Sequence, residues 1–118
     1  MHTGTSIPLV DEGTAMPAAI MTLSEKRFGC VGIRDTEGKL AGILTDGDLA
    51  RNLDKNLEHL VVEDLMTKDP KTISGDALVT SALAMVEENN ISALIVTDNN
   101  KTPLGIVHIL DLLKLGAA

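Results

Sequence analysis

A short phrase occurs twice in the chain. Gly42-Ile43-Leu44-Thr45-Asp46-Gly47-Asp48-Leu49 is answered by Gly105-Ile106-Val107-His108-Ile109-Leu110-Asp111-Leu112, 63 residues further on in a chain of 118. An internal repeat constrains the fold before any local reading, because both copies must form the same supersecondary unit. The offset runs without a gap, residues 7–49 against 70–112. Ala19/Ala82, Glu25/Glu88, Asp35/Asp98, Gly42/Gly105 and Asp48/Asp111 are identical. Val10/Ile73, Ile20/Leu83, Leu23/Val86, Val31/Leu94, Ile33/Val96 and Leu44/Val107 keep apolar character on both sides. The copies part at Thr45 against His108.

Each half reads β-α-β-β-α. In the first, Ile7 to Val10 is a short strand, and Thr14 is expected to cap a helix. That helix carries Met16, Ala19, Ile20 and Leu23 at helical spacing. Pro17 falls in its first turn, where a missing N–H costs little. Gly29 to Ile33 is strand, Asp35-Thr36-Glu37-Gly38 a turn, and Lys39 to Thr45 the return strand. Asp46 opens a second helix reaching about Leu53. In the second half, Thr72-Ile73 is strand, and Ser74-Gly75-Asp76 starts a helix with Leu78, Ala82, Leu83 and Val86. Ala93 to Val96 and Leu104 to His108 flank the turn Asp98-Asn99-Asn100-Lys101, and Leu110 to Leu115 closes the chain as helix. The expected division is unit 1 over residues 1–53, a charged connecting segment over 54–65, and unit 2 over 66–118. Each half is small for independent folding, so the two are expected to pack on each other.

Composition narrows the function. Apolar residues make up 44%, yet Phe28 is the only aromatic, so the core is aliphatic and base-stacking platforms are lacking. The net charge of −7 and scattered Lys and Arg provide no basic face for nucleic acid or an anionic membrane. The lone Cys30 lies in an apolar run and reads as a small buried strand residue. One cysteine permits no internal disulfide, and Met1 to Val10 has no basic, apolar leader, so the expected compartment is the cytoplasm. His2, His59 and His108 lack zinc spacing, and Asp46 and Asp48 make a poor Mg²⁺ pair. No catalytic residue, metal or resident cofactor is expected.

Thr45 and Asp48 stand three residues apart where a strand runs into a helix. A hydroxyl and a carboxylate at that mouth can hold a pair of sugar hydroxyls. The alternative is a helix cap, with Thr45 at the N-cap and Asp48 at N3. Gly42, inside the strand, marks a close approach of other atoms.

A tandem β-α-β-β-α unit ending in Gly-x-x-Thr-x-x-Asp resembles a pair of CBS domains, the Bateman module, over essentially the whole chain. The resemblance implies an α+β fold of two units packed with pseudo-twofold symmetry, their sheets facing and nucleotides held in two clefts. Carried onto this chain, it assigns the ribose to Thr45 and Asp48, with Lys68, Thr72 and Ser92 opposite. The other cleft receives His108 and Asp111, faced by His2, Thr3, Gly4, Phe28, Gly29 and Cys30. Cys30 and Ala93 stand where many nucleotide-binding members place a basic residue.

A narrower resemblance rests on Met1-His2-Thr3-Gly4, Lys26-Arg27-Phe28-Gly29-Cys30-Val31-Gly32, Thr45-Asp46-Gly47-Asp48-Leu49 and His108-x-x-Asp111-Leu112-Leu113. These are similar to the C-terminal CBS pair of bacterial arabinose-5-phosphate isomerases. That implies a fragment of a longer protein with an N-terminal sugar isomerase domain, serving the Kdo branch of lipopolysaccharide synthesis. It also implies a homodimer or higher homo-oligomer. The candidate ligand is the end product CMP-Kdo or an adenine nucleotide, sensed allosterically. The alternative is an oligomerisation module with empty clefts.

Overall fold

The apolar stripes of the two copies each need a partner surface, and in each copy that partner is a small sheet. The computed structural model describes residues 7–26, 28–76, 79–89, 93–110 and 113. The elements run β1 (Leu9–Asp11), α1 (Met16–Lys26), β2 (Cys30–Arg34), β3 (Leu40–Thr45), α2 (Asp46–Arg51), a 3-10 turn (Leu57–His59), α3 (Val62–Leu65), β4 (Thr67–Lys68), β5 (Thr72–Ser74), α4 (Val79–Asn89), β6 (Ala93–Thr97) and β7 (Pro103–His108). Two compact units result: Pro8–Pro70, and Lys71 onward together with Ile7.

The first unit has a four-stranded sheet in the order β1-β2-β3-β4. β1 pairs parallel to β2, and the remaining neighbours are antiparallel. The second unit has a three-stranded sheet, β5-β6-β7, with the same senses. The repeat survives in the hydrogen-bond register. Leu9 opposes Gly32 as Thr72 opposes Ile95, and Cys30 opposes Thr45 as Ala93 opposes His108. Both sheets shift register at the same place, Ile33/Arg34 and Val96/Thr97.

The turns repeat as well. Asp35 Oδ1 accepts from the Glu37 and Lys39 N–H groups at 2.8 and 3.0 Å. Asp98 Oδ1 accepts from Asn100 and Thr102 at 2.8 and 2.9 Å. The left-handed position falls on Gly38 (φ 80°) in one turn and on Lys101 (φ 65°) in the other. A residue with a Cβ is disfavoured there.

Each unit buries its own aliphatic cluster. Met16, Ala19, Ile33, Leu44, Val62 and Leu65 form the first, with Val10 and Ile20 packed against it. Ile73, Ala82, Val86, Leu94 and Val96 form the second, with Leu83 and Val107 against it. The segment read as a connection contributes to the first core, because Leu57, Leu60, Val62 and Leu65 all pack there. Its backbone also anchors the start of α1: Met16 N–H donates to the Leu60 carbonyl, and Val62 N–H to that of Thr14, both at 2.9 Å.

Thr14 does not cap α1. Its hydroxyl donates backward to the Asp11 carbonyl at 2.6 Å, which closes the β1 turn instead. Helix α2 stops at Arg51 rather than near Leu53, because Asn52 folds back on it. The Asn52 side-chain amide donates to the Asp48 carbonyl at 2.6 Å, and Leu53 is left exposed. Ser74 closes β5 rather than starting a helix. In the closing segment Ile109, Leu110 and Leu113 are helical; 111, 112 and 114–118 lie outside the described residues.

Strand β4 has no counterpart in the sequence reading. It comes in against Gly42, which pairs with Lys68. A Cβ on Gly42 would lie 2.6 Å from Met66 Sδ and 3.0 Å from the Thr67 carbonyl oxygen. The close approach expected at this glycine is that of β4.

Candidate ligand-binding site

Thr45 is the last residue of β3, in extended backbone (φ −114°, ψ 164°), and the chain turns into α2 at once. The first turn of a helix has N–H groups without helical partners. Thr45 Oγ1 accepts one of them, from Asp48, at 3.1 Å. Asp48 Oδ2 accepts in return from Thr45 N–H at 2.9 Å, completing a capping box with Asp at N3. The cap geometry weighed in the sequence is therefore present. The Thr45 hydroxyl, having accepted one bond, retains an O–H donor.

Asp48 is 5% exposed, which is unusual for a carboxylate. Its other oxygen, Oδ1, takes Arg51 Nη2 at 2.5 Å and the Thr67 hydroxyl at 3.5 Å. A buried charge demands this kind of enclosure. Thr67 reaches Asp48 because Gly42 admits β4, so the site depends on a glycine six residues upstream. Gly29, at φ 77°, supplies its carbonyl to the Asp46 N–H at 3.2 Å, pinning the start of α2 to the start of β2.

Cys30 opposes Thr45 across the β2–β3 ladder and is 4% exposed. Burial, and then the negative charge of Asp46, push its thiol up to about 12. It is an inert core thiol, as its apolar surroundings in the sequence suggested.

In the second unit His108 ends β7 opposite Ala93. Its Nδ1 accepts from Leu110 N–H at 3.1 Å. The imidazole thus takes up the capping work that the Thr45 hydroxyl performs in the first unit.

The structure brings Thr45, Asp48, Gly29 and Cys30 to one end of the β2–β3 pair. Half-buried Phe28 directly precedes them. Lys68 is exposed on β4 in the same sheet, opposite Gly42, and Thr72 lies on β5 opposite Ile95. His2, Thr3, Gly4, Ser92 and Asp111 lie outside the described residues. Arg51 and Thr67 join the site without having been read from the sequence. Arg51 was legible: an opposite charge three residues after Asp48 on a helix is a contact position. Thr67 had no signal, since its approach depends on β4. Among the described residues, no cluster of His, Cys, Asp or Glu could hold a metal ion, and no helix is long and apolar enough to cross a membrane.

A family model described as CBS domain matches the chain twice, over residues 3–55 and 62–118. The chain is 39% identical over 118 residues to the arabinose 5-phosphate isomerase KdsD of Pseudomonas aeruginosa, covering 98% of this chain and 36% of that protein. It is 36% identical to KdsD of Yersinia pestis, with the same coverage of each. It is 38% identical to the uncharacterized protein RP505 of Rickettsia prowazekii, covering all of this chain and 37% of that one. The chain thus spans about a third of the length of these relatives. Among solved structures, the CBS domain pair of MJ0100, in complex with 5-methylthioadenosine and S-adenosyl-L-methionine, superposes with a TM-score of 0.83. Identity is 26%, and 98% of this chain and 91% of that one are covered. CBSX2 in complex with AMP superposes at 0.82 with 24% identity, over 99% and 92% of the two chains, and shares the fold.

Proposed function

Because the chain belongs to the CBS domain family, with two copies in tandem, we propose that it is a regulatory module that binds a nucleotide or nucleotide-sugar. The observation that carries this reading is the junction of β3 and α2, where a buried carboxylate and a hydroxyl are held together by a capping box. Thr45 and Asp48 take the sugar hydroxyls of the ligand, as donor and acceptor. His108 and Asp111 hold the matching place in the second unit. The adenosyl ligands of the MJ0100 pair support a nucleoside as the common element.

The similarity to KdsD over a third of that protein's length supports a place beside a sugar isomerase domain. In this reading the module lies in the cytoplasm, catalyses nothing, and passes its ligand state to the isomerase as an energy of coupling, typically about 1–3 kcal/mol. The ligand that fits the logic of such a pathway is its end product, CMP-Kdo, which carries a ribose, a phosphate and a carboxylate.

Thermal melts with millimolar CMP-Kdo, AMP, ATP and S-adenosylmethionine test the reading. A ligand present at a hundred times its Kd adds about 2.7 kcal/mol to stability. One of the four is expected to raise the Tm, and a flat response to all four refutes the ligand reading. A second reading, an assembly module, is favoured by the exposed Met21 on α1 and by Leu110 and Leu113. Light scattering with and without nucleotide separates the two.

A further inference from the structure

We propose that Arg51 sets the ligand class of the Thr45–Asp48 site: it occupies the carboxylate oxygen that the second hydroxyl of a sugar diol needs, and so selects ligands that carry an anionic group. The inference rests on the reading of Asp48 as an acceptor of sugar hydroxyls.

The Asp48 side chain is 7% exposed and that of Arg51 is 69% exposed. A carboxylate oxygen accepts about two hydrogen bonds. Oδ1 of Asp48 already has two, from Arg51 Nη2 and the Thr67 hydroxyl. Oδ2 has one, from Thr45 N–H, and keeps a place for one sugar hydroxyl, so the second hydroxyl of a diol must use Oδ1. A hydroxyl arriving at Oδ1 must therefore displace the guanidinium, the partner held from the solvent side. The berth for that guanidinium is built into the helix. A Cβ on Gly47 would lie 3.2 Å from Arg51 Nη1, so the absence of a side chain there lets the guanidinium lie over the first turn.

Displacement breaks a charge-assisted hydrogen bond, roughly twice as strong as a neutral one. A neutral nucleoside returns nothing for it, since its hydroxyls go to Asp48. A phosphate or carboxylate on the same ligand gives the released guanidinium a new bidentate partner. Arg51 thus penalises neutral sugars and is indifferent or favourable to anionic ones.

The test is calorimetric titration of the chain with adenosine, AMP, cytidine and CMP, comparing wild type with Arg51→Gln and Gly47→Ala. Wild type is expected to favour the monophosphates. Arg51→Gln is expected to bind the matching nucleoside roughly three- to tenfold more tightly, with the preference for the monophosphate reduced. Gly47→Ala moves in the same direction by crowding the guanidinium, while alanine strengthens the helix, so a loosened fold does not account for the gain. If Arg51→Gln leaves the nucleoside-to-monophosphate ratio unchanged, or weakens both equally, the selection by Arg51 is refuted and the ligand reading stands. If wild type binds none of the four and its melting is also unmoved by CMP-Kdo, ATP and S-adenosylmethionine, both fall.

Discussion

Replacing Gly42 by alanine tests how the site is assembled. The new Cβ would stand 2.6 Å from Met66 Sδ, 3.1 Å from Met66 Cγ and 3.0 Å from the Thr67 carbonyl oxygen. The thioether can swing away, but the carbonyl belongs to the backbone of β4. That strand has two residues, joined to β3 by the pairs Gly42–Lys68 and Ile43–Thr67. The cheapest relief is for β4 to peel off. Overpacking of this kind costs about 1–3 kcal/mol, and replacing glycine within a strand returns about 0.5–1 kcal/mol. The net loss is about 1–2 kcal/mol, or a Tm lower by roughly 5–10 °C for a domain of this size. Hydrogen exchange adds the location. Protection of the amides of β4 and of Asp48 should fall, because Thr67 no longer reaches the Asp48 carboxylate, while β5 to β7 keep theirs. A double variant with Met66→Ala separates the two clashes: what it fails to restore belongs to the Thr67 carbonyl. If Gly42→Ala melts with wild type and β4 stays protected, glycine is not what admits β4 to the site.

Two further outcomes follow from the repeated turns and the buried thiol. Gly38 and Lys101 occupy the same left-handed position at φ 80° and 65°, so Gly38→Ala should destabilise by about 1 kcal/mol and Lys101→Gly should stabilise by a few tenths to about 1 kcal/mol, read by urea denaturation. The Cys30 thiol is raised from 9.0 to about 12 by burial and by Asp46, so its ionised form is disfavoured in the folded chain. Its contribution to stability is complete below pH 9 and is lost as pH rises toward 12. Cys30→Ala should flatten that alkaline decline, and iodoacetamide at pH 8 should label Cys30 in the native chain far more slowly than in urea. Rapid native labelling would contradict its burial.

The repeat made the two sheets legible because register is carried by apolar alternation. Val10/Ile73, Ile33/Val96 and Leu44/Val107 all meet the core clusters of their own units. A slip by one residue would have turned these positions to the opposite face. The turns were legible too, since Asp35 and Asp98 bind their own backbones two and four residues on, a local interaction. What escaped was long-range. Thr67-Lys68 has no alternation to reveal a strand and pairs only because Gly42 leaves room. Thr14 carries the right side chain for a cap, but the nearby Asp11 carbonyl takes its hydroxyl. Residues 54–65 looked like a connection because their charged positions mask five apolar ones, of which Leu57, Leu60, Val62 and Leu65 become visible as a core face once α1 lies against them.

Thr45 and His108 fill the same place in the repeat. Each unit ends its antiparallel return strand, β3 or β7, with a side chain that accepts an N–H from the helix that follows. The hydroxyl takes it from the third residue on, and the imidazole takes it from the second. The architecture of the repeat is kept through the mismatch, and the register of β6–β7 copies that of β2–β3 down to the bulge. What changes is the capping group itself, a hydroxyl in one unit and an imidazole in the other. A hydroxyl that has accepted one bond can rotate its proton toward a ligand or accept a second time. An imidazole ring nitrogen that accepts a bond, as Nδ1 of His108 does, has no rotatable proton of this kind. The first unit thus keeps a group suited to either role beside a buried carboxylate, and the second substitutes an imidazole engaged at Nδ1. The two strand ends share a backbone and differ in the polar side chain that closes them.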